Sequence, residues 1–244
     1  MIRFIGCCIF LGCYLILGLP VLGIEWIISK FNKELSDRHC MRIVQWGFGC
    51  MLAISGVDVT VIGEENIPDG AVLFVGNHRS FFDIPLTHVH CKSLTGYISK
   101  KEMYKFPVLR DWMKRIYCLF LDRDNPREGL KTILQAIEYV KQGISVFIFP
   151  EGTRNKGEEL TVLPFHAGSF KIAEKSGCPI IPVSLNNTSA IFEDHFPRIK
   201  KTHVILEYGA PIDMKSMDRE EKKHIAEYCQ TIIEETIQKN QALV

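Results

Sequence analysis

Residues 71–85 read AVLFVGNHRSFFDIP. An apolar run, Ala71 to Val75, stops at Gly76, and a polar turn with Asn77 and His78 follows. Asp83 and Pro85 then mark the start of a helix, with an acidic residue near the N-cap and a proline in the first turn. Strand, polar turn and helix form the repeating unit of α/β sheets, whose ligands sit outside the carboxyl ends of the strands. His78 and Asp83 are five positions apart. On one regular helix that spacing is about 140° around the axis, so they would share no face. With His78 in the turn and Asp83 in the helix, the two side chains can meet. A carboxylate beside an imidazole fixes its tautomer and stabilises the imidazolium, which is what a general base requires.

The same pattern recurs at residues 145–155, SVFIFPEGTRN, where an apolar strand again runs into a polar turn. Gly152 lets backbone approach a ligand closely, and Arg154 offers a planar fork suited to phosphate. Further strands are expected at 57–61, 96–99, 118–122, 180–184 and 203–208. Between them lie helical periods. Leu130, Ile133, Leu134, Ile137 and Val140 share one face, with Gly143 just beyond as a stop. Ile225, Cys229, Ile232, Ile233 and Ile237 form another apolar face. Strands alternating with helices predict an α/β domain over residues 56–244.

Residues 1–55 have a different character. The run 4–24, FIGCCIFLGCYLILGLPVLGI, carries no charge and would span about 31 Å as a helix, enough to cross a hydrocarbon core. A second uncharged run, 43–57, is shorter and suits an interfacial helix. Together they predict an N-terminal membrane-embedded helical hairpin, or one span followed by an interfacial helix. Lys30, Lys33 and Arg38 follow the first run and only Arg3 precedes it, which places the rest of the chain on the cytoplasmic side. Removal of residues 1–55 is expected to weaken membrane association and leave the His78/Asp83 geometry largely intact.

Lys and Arg total 29 against 28 Asp and Glu, a net charge of +1, which excludes a globally basic nucleic-acid binder. Basic residues do gather locally. Lys100, Lys101, Lys105, Arg110, Lys114, Arg115, Arg123 and Arg127 outnumber the acids between them, and Arg123 follows the strand CLFLD directly. Such a patch can hold a phosphate or an anionic membrane surface. Nine cysteines without a CxxC pair indicate free thiols rather than a disulfide framework or a zinc finger. His88, His90 and Cys91 superficially look like metal ligands, but on a helix positions i and i+2 diverge, so no metal is expected.

Asn77-His78 with Asp83 resembles the NHxxxxD motif of the glycerolipid acyltransferases, and Phe149-Pro150-Glu151-Gly152-Thr153-Arg154 resembles their FPEGTR motif. Leu119 to Arg123 is similar to the block ending in arginine, Ile180-Ile181-Pro182-Val183 to the fourth, proline-containing block, and Ser99 to Met103 to the basic segment after the second strand. Order and spacing agree across residues 57–212, and the 1-acyl-sn-glycerol-3-phosphate acyltransferase family is most similar. The resemblance implies that His78 is the base and Asp83 its orienting partner. It implies an acceptor site built from Lys100, Lys101, Arg123, Glu151, Gly152, Thr153 and Arg154, with backbone N–H groups near His78 stabilising the oxyanion. It implies acyl transfer from acyl-CoA or acyl-carrier protein to lysophosphatidic acid in the membrane, with no cofactor and no acyl-enzyme. The chain also lacks the G-x-S-x-G elbow of an acyl-enzyme mechanism. Glycerol-3-phosphate or another lysophospholipid is the alternative acceptor, and non-catalytic lipid binding the alternative class. Where the family often has a more basic stretch, this chain has His166-Ala167-Gly168-Ser169-Phe170.

Overall fold

The computed structural model describes residues 1–244. Two helices open the chain, α1 (Ile2–Phe31) and α2 (Lys33–Ser55). They turn at Asn32, whose side chain accepts from the Leu35 amide at 3.0 Å and so caps α2. Gly56, with φ of +70°, ends α2 in the left-handed region and sends the chain straight into the sheet.

Seven strands follow: β1 (Val57–Ile62), β2 (Leu73–Gly76), β3 (Thr95–Lys100), β4 (Leu119–Leu121), β5 (Ser145–Ile148), β6 (Ile180–Asn186) and β7 (Thr202–Tyr208). All seven expected strands are present. They form one sheet in the order β1-β7-β6-β2-β5-β3-β4, parallel except where β6 meets β7. The helices between and after them are α3 (Asp83–Val89), α4 (Pro107–Arg115), α5 (Pro126–Lys141), α6 (Lys171–Ser176), α7 (Arg219–Lys223) and α8 (Ile225–Asn240). Gly143, at φ +86°, lies just past α5 as its spacing predicts.

The pleat sorts the core. Leu73 and Val75 of β2 face α5, α6 and α8, packing with Ile137, Ile172 and Ile233. Val72 and Phe74 face the other way, towards Cys40 and Val44 of α2 and Trp112 of α4. A smaller cluster joins Cys7 of α1 and Leu52 of α2 to Phe82 and Leu86. The hairpin therefore completes one side of the sheet's core.

That packing bears on two expectations. The second apolar run is not a separate interfacial helix but the latter part of α2, and its inner face is buried on the sheet. Deleting residues 1–55 would strip Phe74, Val183 and Leu206 of their cover, at about 1.5–3 kcal/mol for each large side chain uncovered. The sheet domain thus relies on the hairpin for part of its core. The outer face of α1 is the opposite case. Ile2, Ile5, Ile9, Ile16, Leu17, Ile24 and Ile27 are all exposed, and α1 is long and apolar enough to cross a membrane.

Candidate active site

Register builds the site. β2 and β5 are parallel neighbours with Val75 beside Ile148, so their polar turns leave the sheet side by side. β3 and β4 lie next to them with Lys100 beside Leu121. Lys100 ends its strand, and His78, Glu151 and Arg123 arise just past theirs, so all four sit at the carboxyl ends of four adjacent strands.

Asn77 starts the turn by imitating a strand. Its side chain donates to Leu185 O at 2.9 Å and accepts from Leu185 N at 2.8 Å, so β2 stays tied to β6 one residue beyond Gly76. His78 is then held on every side. Its Nδ1 lies 2.7 Å from Asp83 Oδ2, its amide donates to Glu151 Oε1 at 2.6 Å, and its carbonyl accepts from Asn155 N at 2.7 Å. Its ring stacks on Phe149, with centroids 4.3 Å apart. Asp83 is the first residue of α3 and is fully buried. The amides of Arg79 and Ser80 also donate to Asp83 Oδ2, at 2.7 and 2.8 Å. An ionised carboxylate only accepts, so the His78 proton sits on Nδ1 and leaves an Nε2 lone pair that no protein group engages. The His78 side chain is 18% exposed. An oriented imidazole with a free, accessible nitrogen has the geometry that proton abstraction requires.

Glu151 is buried, and both of its oxygens are spent on the protein's own backbone, on His78 N and on Leu163 N at 2.9 Å. Burial pushes its carboxyl up to about 7, against those two N–H groups, which favour the anion. Its contribution is to brace the His78 turn. Gly152, at φ +72°, brings bare backbone beside His166 and Arg123; a Cβ there would lie 3.2 Å from His166 Nε2 and 3.8 Å from Arg123 Cζ. Thr153 is exposed at the rim.

Arg154 stands apart from Arg123's surroundings. Its guanidinium carbon lies over the Phe81 ring, 3.6 Å from the centroid, and Nη1 donates to Glu193 Oε1 at 3.0 Å. Lys100 pairs with Glu102, and Lys101 with Asp122 and Asp124, all at the exposed edge. The amides next to His78 in sequence are not available as oxyanion donors. The amides of residues 78, 79, 80 and 81 are all engaged, on Glu151, Asp83, Asp83 and Glu193 respectively, so none is free for a reacting oxygen. His88 and His90 do not form a metal site either. His88 is buried against Phe48 and Tyr97, while His90 turns to Glu64.

A family model described as Acyltransferase matches residues 58–186, which hold both turns. The chain belongs to the acyltransferase family. Among curated proteins it is 30% identical over 218 residues to 1-acyl-sn-glycerol-3-phosphate acyltransferase of Saccharomyces cerevisiae, covering 87% of this chain and 71% of that one. It is 30% identical over 206 residues to the Escherichia coli protein of the same name, covering 83% and 82%. Among solved structures it is similar to PlsC, the 1-acyl-sn-glycerophosphate (LPA) acyltransferase of Thermotoga maritima, with a TM-score of 0.76, 26% identity and 98% of each chain covered. That coverage extends to the α1–α2 hairpin of this acyltransferase as well as to its sheet.

Sequence reasoning missed two residues of this acyltransferase site. Glu193 contacts Ser80, Phe81 and Arg154 from a turn after β6. Only the placing of β6 beside β2 brings it there, and no local pattern announces that pairing. Arg79 is buried and donates to the carbonyls of Gly157 and Glu158, tying the two polar turns together. Its position inside the His78 motif was the available signal.

Proposed function

We propose that the chain transfers a fatty acyl group from a thioester donor, acyl-CoA or acyl-carrier protein, to the free hydroxyl of 1-acyl-sn-glycerol-3-phosphate, giving phosphatidic acid. The observation that carries this reading is the His78–Asp83 pair, with Asp83 sealed and the opposite ring nitrogen open beside two polar turns. The names of its relatives support the acceptor.

In this reading His78 Nε2 takes the proton of the acceptor hydroxyl as its oxygen attacks the thioester carbonyl carbon. The new C–O bond forms, the C–S bond breaks, and the imidazolium returns the proton to the departing thiolate. Asp83 stabilises the imidazolium between those two events. Arg123 and Arg154, with Lys100 and Lys101 at the exposed edge, supply the positive charge for the acceptor phosphate. Gly152 and Thr153 shape the floor and rim, and Glu151 fixes the turn that carries the base. Residues 1–55 hold residues 56–244 at a membrane through the apolar outer face of α1, on the cytoplasmic side by the charge bias around that helix. The acceptor then reaches His78 without leaving the lipid phase entirely.

The test is acyl transfer from each donor to lysophosphatidic acid in mixed micelles, with glycerol-3-phosphate as the competing acceptor. Wild type should form phosphatidic acid, and His78→Ala should lower the rate by about a thousandfold. Activity that survives in His78→Ala removes His78 from the mechanism. A folded wild type that acylates neither acceptor overturns the substrate assignment.

A further inference from the structure

Glu193 lies in the turn 193–195 after β6. Three donors converge on it: Ser80 Oγ at 2.7 Å on Oε2, Phe81 N at 2.8 Å on Oε1, and Arg154 Nη1 at 3.0 Å on Oε1. The turn itself is anchored. Ser189 Oγ donates to Asp194 at 3.0 Å, and Phe192 stacks on Phe4 of α1 with centroids 5.5 Å apart. Arg154 is therefore no free cation. It is sandwiched between the Phe81 face and a carboxylate, with side chains 28% and 21% exposed for Arg154 and Glu193. A phosphate that uses Arg154 must compete with that carboxylate.

We infer that Glu193 sets the affinity for the acceptor: it holds Arg154 in an internal ion pair that an anionic head group must take over, and an uncharged head group binds without opening it. The inference rests on the assignment of Arg154 to the acceptor phosphate. The geometry makes the exchange cheap on the Glu193 side. When Arg154 leaves, Glu193 keeps the Phe81 amide on one oxygen and the Ser80 hydroxyl on the other, so no buried carboxylate is orphaned. The guanidinium can move across the Phe81 ring without losing that face. A phosphate, as a charged acceptor of hydrogen bonds, matches what Arg154 gives up. A neutral glycerol head group offers no comparable partner, and the pair stays closed.

The experiment is a double-mutant cycle on the full chain in mixed micelles, reading the acceptor KM for lysophosphatidic acid in wild type, Glu193→Gln, Arg154→Gln and the double variant. Monoacylglycerol serves as the uncharged probe, read as inhibition of the same reaction. Glutamine retains an acceptor for the Phe81 amide and removes the charge. Glu193→Gln should lower the KM for lysophosphatidic acid by about threefold to tenfold and leave the affinity for monoacylglycerol where it is. Arg154→Gln should raise that KM, and adding Glu193→Gln to it should change nothing further. If Glu193→Gln does not fold, Glu193→Asp retracts the carboxylate by one methylene and should lower the KM in the same direction. A KM that is unchanged or higher in Glu193→Gln overturns the inference. So does a drop that affects both probes alike or persists without Arg154; Glu193 then serves only to hold the turn. A KM indifferent to Arg154→Gln overturns the phosphate assignment itself, and the inference with it.

Discussion

Two histidines ten positions apart frame α3, and their surroundings differ in almost every respect. His78 precedes the helix and His88 lies in its last turn. A column of rings connects them: His78, Phe149, Phe147, Tyr97 and His88, with successive centroids 4.3, 4.9, 5.1 and 5.6 Å apart. His78 has a carboxylate on one nitrogen and an opening beside the other. His88 is 1% exposed, and neither of its ring nitrogens has a partner. Burial pulls its pKa down to about 4, so it is neutral at physiological pH. Aromatic surroundings alone do not make a base. In the proposed mechanism, the buried carboxylate that orients one nitrogen and the access left to the other set His78 apart.

The sharpest way to break the comparison is to remove the carboxylate. Asp83→Asn should reduce acyl transfer by roughly a hundredfold to ten-thousandfold, because an amide can present its N–H to Nδ1 and select the wrong tautomer. The steady-state rate measures this, and a loss of less than about tenfold would place the orienting role elsewhere.

Glu151 gives an intermediate effect, read in stability. Its carboxyl is raised from 4.5 to about 7 in the fold, so the folded state binds the proton more tightly than the unfolded chain. Its stabilising contribution is full below about pH 4.5 and lost as pH rises through 7. Wild type should therefore lose about 1–3 kcal/mol relative to Glu151→Gln over that window, measured by denaturant unfolding at several pH values. Parallel curves would show that burial of Glu151 is compensated in full.

His88 should show the reverse slope. Its folded pKa lies below 6.5, so its contribution is full above that value and lost as pH falls through 4. On acidification over this range wild type should lose about 2 kcal/mol relative to His88→Phe. The variant should keep acyl transfer within about twofold at neutral pH, since His88 touches no reacting group. A large loss of rate in His88→Phe would mean that the ring column transmits more than packing.

The sheet was legible because each apolar run ends in a turn that cannot continue it: Gly76-Asn77 after β2, Pro150-Glu151 after β5, Arg123 after β4. The base pair was legible for the same reason, since a strand end followed by a helix start places His78 and Asp83 within reach. What was not legible depends on pairings far apart in sequence. Glu193 reaches Arg154 only because β6 lies against β2. The role of α2 was hidden because its composition suits a membrane surface as well as a sheet face; the burial of Cys40 and Val44 on Phe74 decides between them. The engagement of the His78 and Phe81 amides was hidden because their acceptors, Glu151 and Glu193, come from other turns.

The position of β1 has a consequence for how the chain reaches its native state. β1 follows α2 at once, yet its one neighbour in the sheet is β7, at residues 202–208. At ordinary rates of translation, about 5–20 residues per second, β1 waits on the order of ten seconds for that partner. Through that interval the inner faces of α1 and α2 also lack Val204 and Leu206 of β7, which complete their cover. A bilayer that takes up the hairpin during synthesis would shield those faces until the last strand arrives, so the lipid would act first as a folding surface and only later as the place where the substrate is found.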